Sequence, residues 1–581
     1  MRRFVLCALG SSILLAACGG GSGGGIRSGD SGGGGTTAPP ATGVTTPALP
    51  QLAAATGATL SSCADLATRI TFANTTIASA ADVAAGTLTV GGKAVPAHCL
   101  VKGSMYPRTG IDGKAYAIGF EMRLPLAWNG RFFYQGNGGL DGVVATATGG
   151  VNGGSGPDNA LNKGFAVISS DAGHAGPLPF FGIDPQARLD YGYQAAAKLT
   201  PMAKHAIAVA YGKGPDRSYF GGCSNGGRHT MVAAARMPAD YDGYLVGDPG
   251  FNLPLAATAN IAGGQTYAAL ATDPADLGTG FTQQERQLVS SAVLAKCDAL
   301  DGATDGLVQD TTACQAAFNL AKDVPTCTGA RDGSCLSTVQ KDAIGKLFAG
   351  ATTPGGTKIY ASFPYDNGLA TPGWASWKFT SPQQRDSGAT GLVFAVPPED
   401  PATFDGNVFA LNVNLDSLLS RVNASNATYT ESSMSFMTPP NPSDLSALKN
   451  RGAKMMIYHG TADPIFSSDD TTAFYKALSA ANDGSAANFA RLYLVPGMNH
   501  CSGGPSTDQF DMLAPLVNWV EQGVAPDSVE ASARGPGNAV AVNTDVPADW
   551  APARTRPLCS FPKVARFHAG SLDAASSFAC E

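Results

Sequence analysis

The chain has 581 residues, 38 of them Lys or Arg and 45 Asp or Glu, for a net charge of −7. Only 14% of residues are charged, against about 25% in an ordinary globular protein, and no basic cluster exists beyond Arg2 and Arg3, which excludes a nucleic-acid binder working through a basic footprint. With 44% hydrophobic residues, 26 Phe, 16 Tyr and 5 Trp, the chain can bury a large core, so disorder is excluded over most of its length.

Arg2 and Arg3 precede an apolar run over residues 4–17. That run is too short to cross about 30 Å of hydrocarbon as a helix and matches a signal peptide, so the protein is expected to be exported. Leu15-Ala16-Ala17-Cys18 closes it, and small residues before a Cys resemble a bacterial lipobox. Residues 1–18 therefore read as a lipoprotein-type signal peptide, with Cys18 lipidated and the mature protein periplasmic or anchored at the outer membrane of a bacterium. A plain signal peptide with an incidental cysteine is the alternative. Residues 19–60, rich in Gly, Ser, Thr and Pro, read as a disordered tether that adds nothing to the fold.

Globular composition begins near residue 61. A strand is predicted at 131–135, running into Gly136-Asn137-Gly138-Gly139, and another at 164–170; apolar residues at helical spacing fill 194–211. A strand at 217–220 then leads through Gly221-Gly222-Cys223-Ser224-Asn225-Gly226-Gly227 to a helix at 228–237. Strand, Gly-rich turn and helix in succession are the grammar of a parallel sheet. The pattern fades between residues 252 and 442 and returns with strands at 454–458 and 491–495 around a helix at 470–481. The economical architecture is an α/β domain, residues 61–251 and 443–581, interrupted by an insertion at 252–442.

Gly222-Cys223-Ser224-Asn225-Gly226 matches G-x-S-x-G, a nucleophile elbow in which small flanking residues permit a strained turn that presents the Ser hydroxyl. Ser is a poor nucleophile without a base, and the base needs a carboxylate to hold its tautomer, so Asp and then His should follow downstream, each past a strand. Asp463 follows the strand at 454–458 and His500 the one at 491–495. Of the seven His, His98, His174, His205 and His229 come too early and His568 follows no clear strand. His459 precedes Asp463 and reads as a structural neighbour. Ser224, Asp463 and His500 are thus the predicted triad. The Asn225 N–H is an oxyanion donor by position, and the 136–139 loop should supply a second unless it is only a tight turn.

Ten cysteines remain once Cys7 and Cys18 are set aside: Cys63, Cys99, Cys223, Cys297, Cys314, Cys327, Cys335, Cys501, Cys559 and Cys580. An even number favours disulfides in an exported chain. Short separations make Cys297 with Cys314, and Cys327 with Cys335, plausible pairs. Cys223 precedes the predicted nucleophile and Cys501 follows the predicted base, so the two can approach bridging distance if the triad assembles. No C-x-x-C or H-x₃-H spacing supports zinc. Asp298, Asp301, Asp305 and Asp310 fall within thirteen residues with interleaved Gly, which suits a hard cation such as calcium or a solvated acidic turn.

Together, Gly222 to Arg228, the Cys-Asp-x-x-Asp-Gly-x-x-Asp-Gly loop from Cys297, Tyr458-His459-Gly460-Thr461-Ala462-Asp463, and Pro496-Gly497-Met498-Asn499-His500-Cys501-Ser502-Gly503-Gly504-Pro505 resemble the tannase and feruloyl esterase family, α/β-hydrolases with a large lid. The resemblance implies an oxyanion hole from Gly139 and Asn225. It also implies a structural calcium in the lid, held by Asp298, Asp301 and Asp305 with the carbonyls of Ala303 and Leu307. Five bridges follow from it as well: Cys223 to Cys501, Cys63 to Cys99, Cys297 to Cys314, Cys327 to Cys335, and Cys559 to Cys580. Phe251-Asn252-Leu253-Pro254 and the 553–559 segment resemble members acting on terephthalate monoesters, in which a lid arginine grips a free carboxylate. Arg385 looks like its match, with Phe466, Leu253 and Trp377 against the aromatic ring. Ala389-Thr390 and Gly138 depart from that pattern and predict a looser clamp. The reading is a serine hydrolase for aromatic carboxylic esters, feruloyl, galloyl or terephthalate monoester in type. A catalytically inactive surface lipoprotein that binds aromatic compounds is the alternative.

Overall fold

Apolar runs rich in aromatic and β-branched residues form the centre of a nine-stranded sheet: β4 (Arg131–Gln135), β5 (Ala166–Ser170), β6 (Arg217–Cys223), β7 (Gly243–Gly247), β8 (Lys454–Gly460) and β9 (Ala490–Val495). These six pair in parallel and are buried along almost their whole length, as strands covered on both faces must be. Three longer strands, β1 (Thr75–Val83), β2 (His98–Thr109) and β3 (Ala115–Pro125), extend one side as an antiparallel edge. The order is β9-β8-β7-β6-β4-β5-β3-β2-β1. The computed structural model describes residues 49–150, 156 and 158–581; the expected signal peptide, Cys18 and the expected tether through residue 48 lie outside the described residues.

Helices α1 (Ala195–Tyr211), α2 (Asn225–Arg236) and α5 (Ser468–Ala480) pack one face through Leu199, Met202, Met231 and Phe474, while α6 (Leu513–Gln522) covers the other through Leu513, Leu516 and Trp519. A mostly parallel sheet in this order, with helices on both faces, is the α/β-hydrolase fold. Register fixes the geometry that matters. Cys223 pairs with Gly247, Gly247 with Tyr458, and Gly460 with Val495, so the carboxyl ends of β6 to β9 lie along one edge and their following loops share it.

Between β7 and β8 the chain contributes no strand to this sheet. It holds α3 (Leu253–Leu270), α4 (Gln283–Cys297) and three consecutive π-helical stretches, Ser376–Thr380, Pro382–Asp386 and Ala389–Phe394. By its contacts, Leu49–Glu581 forms one unit.

Two sequence expectations shift. The strand expected at 217–220 continues through Gly221 and Gly222 to Cys223, and the helix expected from 228 begins at Asn225, because the turn between them is a single residue. The tether is shorter than expected: Ala58–Thr59 pair with Ala127–Trp128, Ala55 N–H donates to Glu521, and Leu60 is buried.

All ten described cysteines are bridged, which leaves no thiolate for zinc among them. Cys63 joins Cys99, tying the segment before β1 to the second residue of β2. Cys559 joins Cys580, the penultimate residue, and so fastens the C-terminal end of the chain. The remaining bridges are Cys223 to Cys501, Cys297 to Cys314, and Cys327 to Cys335. Short separation predicts Cys297 to Cys314 and Cys327 to Cys335, and the predicted triad Cys223 to Cys501; the pairs of Cys63 with Cys99 and Cys559 with Cys580 follow only from the family resemblance, since their partners meet through the fold. Among the described residues no helix is long and apolar enough to cross a membrane.

Candidate active site

Ser224 adopts φ 66°, ψ −127°, a conformation that strains any residue with a Cβ, and so turns the chain from β6 into α2 within one residue. Its flanking glycines are required by contact. A Cβ on Gly222 would sit 2.5 Å from Gly136 O, and one on Gly226 would sit 2.3 Å from the same atom. The elbow is therefore pressed directly against the 136–139 loop. His500 Nε2 lies 2.8 Å from Ser224 Oγ, and His500 Nδ1 lies 2.7 Å from Asp463 Oδ2. Asp463 Oδ1 accepts from Ile465 N–H at 2.9 Å and Phe466 N–H at 3.0 Å, so both carboxylate oxygens are fixed. With Asp463 accepting at Nδ1, Nε2 is left free to take the Ser224 proton.

Burial opposes charge on Asp463, yet the positive charge and hydrogen bonds of His500 and His459 hold its carboxyl well below the usual carboxylate range. Burial lowers His500, but the Asp463 carboxylate outweighs it and raises the imidazole above its ordinary value. Two further buried groups stand behind the triad. Asp248, just past β7, accepts from Gly460 N–H at 2.8 Å and is pushed up to about 7, by burial first and by the Asp463 charge. His459 contacts Thr471 Oγ1 at 2.8 Å and Phe466 O at 2.9 Å, with Nε2 3.4 Å from Asp463 Oδ2. The sequence marks His459 as a neighbour of the triad but not Asp248, for which a carboxylate directly after an apolar strand is the available signal.

The remaining expected residues fall in three groups. Gly139 lies on the loop after β4 and Asn225 is the first residue of α2, both beside Ser224; Gly139 takes φ 63°, and a Cβ on Gly138 would stand 4.0 Å from that of Ser224 with nothing nearer. Trp377 and Phe466 stand edge-on to the His500 ring at 5.1 Å and 5.3 Å. Leu253, the first residue of α3, belongs to the same apolar cluster as Phe466, with Leu140 and Trp377 packed against it. Arg385 is exposed, with its guanidinium 4.8 Å from the Trp377 ring centroid, and makes no ion pair among the described residues. The third group is bonded within its own loop and to Arg556: Asp298 accepts from Asp305 N–H and Gly306 N–H, Asp301 from Ala303 N–H, and Asp305 from Leu307 N–H and Arg556. Asp301 Oδ2 is buried without a partner, and burial with two neighbouring carboxylates pushes Asp301 up to about 6.

Serine, histidine and carboxylate linked by hydrogen bonds past the ends of parallel strands, with two aromatic rings edge-on to the histidine, are the arrangement of a serine hydrolase of the α/β class. A sequence profile described as tannase and feruloyl esterase matches residues 99–581. The chain belongs to the tannase and feruloyl esterase family and is a carboxylic ester hydrolase. It is 41% identical over 538 residues to mono(2-hydroxyethyl) terephthalate hydrolase of Piscinibacter sakaiensis, covering 85% of this chain and 86% of that protein. It is 28% identical to a probable feruloyl esterase B-1 of Neosartorya fischeri, over 71% of this chain and 75% of the other. The crystal structure of feruloyl esterase B from Aspergillus oryzae shares the fold, with a TM-score of 0.72, 24% identity, and coverage of 89% of this chain and 99% of that one.

Proposed function

We propose that this protein cleaves esters of aromatic carboxylic acids by a Ser-His-Asp acyl-enzyme mechanism. The observation that carries the reading is the unbroken chain Ser224 Oγ, His500, Asp463, with Trp377 and Phe466 edge-on to the base. Ser224 attacks the ester carbonyl as His500 Nε2 takes its proton, and His500 returns that proton to the departing alkoxide. Asp463 fixes the tautomer and stabilises the imidazolium. The N–H groups of Gly139 and Asn225 receive the negative charge that forms on the carbonyl oxygen, and water then repeats the sequence on the acyl-enzyme. Trp377, Phe466 and Leu253 hold the aromatic acid. Arg385, an exposed cation with no ion pair among the described residues, attracts substrates bearing a second carboxylate. Esters of the feruloyl, galloyl and terephthalate monoester types are the candidates; the named relatives support the first and last of these, and the family's tannase members the second.

The carboxylates of the 298–305 loop fit a calcium ion: three buried Asp side chains repel one another, Arg556 answers only one, and Asp301 Oδ2 has no partner. Asp298, Asp301 and Asp305 with the carbonyls of Ala303 and Leu307 would hold it, and its charge would stabilise the lid, residues 252–442. Five disulfides accord with an oxidising compartment, and export as a lipoprotein through Cys18 completes the reading. Labelling with a fluorophosphonate, together with hydrolysis of methyl ferulate, methyl gallate and mono(2-hydroxyethyl) terephthalate, tests it. Labelling and turnover should both vanish in Ser224→Ala. Folded wild-type protein that takes no label would favour the non-catalytic aromatic-binding alternative.

A further inference from the structure

The side chain of Asn225 is held at both ends. Its Nδ2 donates to Asp141 Oδ1 at 2.5 Å, and its Oδ1 accepts from Arg228 Nε at 2.6 Å. All three residues are buried, Arg228 completely. Asp141 sits two residues beyond Gly139, and its N–H donates to Gly138 O. Arg228 reaches Tyr191 O and Gly192 O, while the Tyr191 hydroxyl donates to Gly139 O at 3.2 Å. The contacts thus close a ring, Asn225 to Asp141, along the chain to Gly139, through Tyr191 to Arg228 and back to Asn225. It joins the two loops that border the nucleophile. Asp141 itself has φ 47°, an unfavourable conformation for a residue with a side chain, which persists where surrounding bonds over-determine it.

We infer that Asp141 is a positioning residue for ester hydrolysis, holding the Asn225 and Gly139 N–H groups at the fixed separation that a tetrahedral oxyanion requires. The inference rests on the proposed oxyanion role of those two groups. Stabilisation of this kind works only if the donors are aimed before charge develops, and misplacement by about 1 Å costs up to ~100-fold in rate. His229 adds to the grip: its Nδ1 accepts from Arg228 at 2.9 Å, which leaves Nε2–H, 3.3 Å away, to donate to Asp141 Oδ1. Burial, opposed by the Arg228 charge, pushes Asp141 up to about 8 and favours its uncharged form, while the bond from Asn225 uses its Oδ1 as an acceptor.

An asparagine at this position is therefore a close mimic, and alanine is not. Asp141→Ala should lower kcat for an aromatic methyl ester by about 10- to 100-fold with KM nearly unchanged, and should weaken an arylboronate, which forms a tetrahedral adduct on Ser224, by a similar factor. Asp141→Asn should recover most of the rate. Asn225→Ala keeps its backbone N–H and a helical residue, so it tests the same bond should Asp141→Ala fail to fold. The double variant should be no slower than either single one, as expected of one shared interaction. Single effects that multiply, a loss confined to KM, or no rescue by asparagine would overturn the inference. Wild-type protein without Ser224-dependent labelling would instead overturn the catalytic reading beneath it.

Discussion

The strand ends and the long segment between β7 and β8 furnish their parts of the site by different means. Ser224, Asp463 and His500 each follow a parallel strand within a few residues and are fixed by backbone: a one-residue elbow, two N–H groups on Asp463, and a disulfide beside His500. Trp377 and Arg385 stand on π-helical turns, a geometry that recurs at functional sites. They are held by a ring stacked on a guanidinium and by the Asn260 side chain bonded to Trp377 O. The proposed reacting groups are thus placed by the sheet with little freedom, and Trp377 and Arg385, two of the proposed recognition groups, by a segment that meets them through ring contacts; Phe466 belongs with the sheet-borne half.

Disrupting the sheet-borne half should have the largest effect. Asp463→Asn preserves shape but offers His500 Nδ1 a donor where an acceptor is needed, and kcat should fall about 10⁴-fold in steady-state assays of folded protein. Because the Asp463 charge raises His500, the acid limb of kcat/KM should lie above the ordinary imidazole value of about 6.5. Below the folded pKa the ring is already protonated and cannot accept from Ser224, so activity rises with pH through that limb. In Asp463→Asn the limb should move to lower pH, and an unmoved limb would assign the shift to another group.

Next comes the covalent staple. Replacing Cys223 and Cys501 by Ser opens a loop of sequence separation 278, whereas the same change at Cys327 and Cys335 opens one of 8. Urea unfolding should show a loss of about 2–5 kcal/mol for the first pair and less for the second, with kcat reduced only by the first. Equal losses would remove the distinction between the two regions.

Within the inserted segment, stripping divalent cations should lower the melting temperature, and calcium should restore it. The pH dependence follows from Asp301. Its folded pKa, near 6, lies above the unfolded value of about 3.9, so the ion-free fold binds the extra proton and loses stability as pH rises from about 4 through 6. Calcium replaces that proton, so the stabilisation it provides should grow across the same interval; a constant increment would dissociate Asp301 from the ion. Arg385→Ala should act least, narrowing the preference for acid-bearing over neutral esters by roughly tenfold in kcat/KM while neutral esters are cleaved as before. Unchanged selectivity would leave Arg385 without a role in recognition.

What could be read from sequence divides along the same line. Gly222 and Gly226 around Ser224, and the strands before Asp463 and His500, are local patterns whose spacing the mechanism itself dictates. Within the insertion, α3 is 18 residues long and buried on most of its surface, so it carries no polar face to reveal its period. The π-helical turns from Ser376 to Phe394 break the 3.6-residue rhythm altogether. Asp141 stands alone among glycine and apolar neighbours, and its partners Asn225 and His229 lie far along the chain, so no local pattern marks it. Arg228 lies within a family motif and Asp248 directly after an apolar strand, but Gly192 O and Gly460 N–H, which they meet, are brought to them only by the fold.

The bridge between Cys223 and Cys501 also changes what a broken chain means. Ser224 and His500 are 276 residues apart in sequence, and every peptide bond between them lies inside the ring that the disulfide closes. A protease that cuts once anywhere in that ring leaves a single molecule, its ends still joined one residue from the nucleophile and one from the base. The broad inserted segment can therefore be nicked without the two pieces drifting apart, and only reduction would release them.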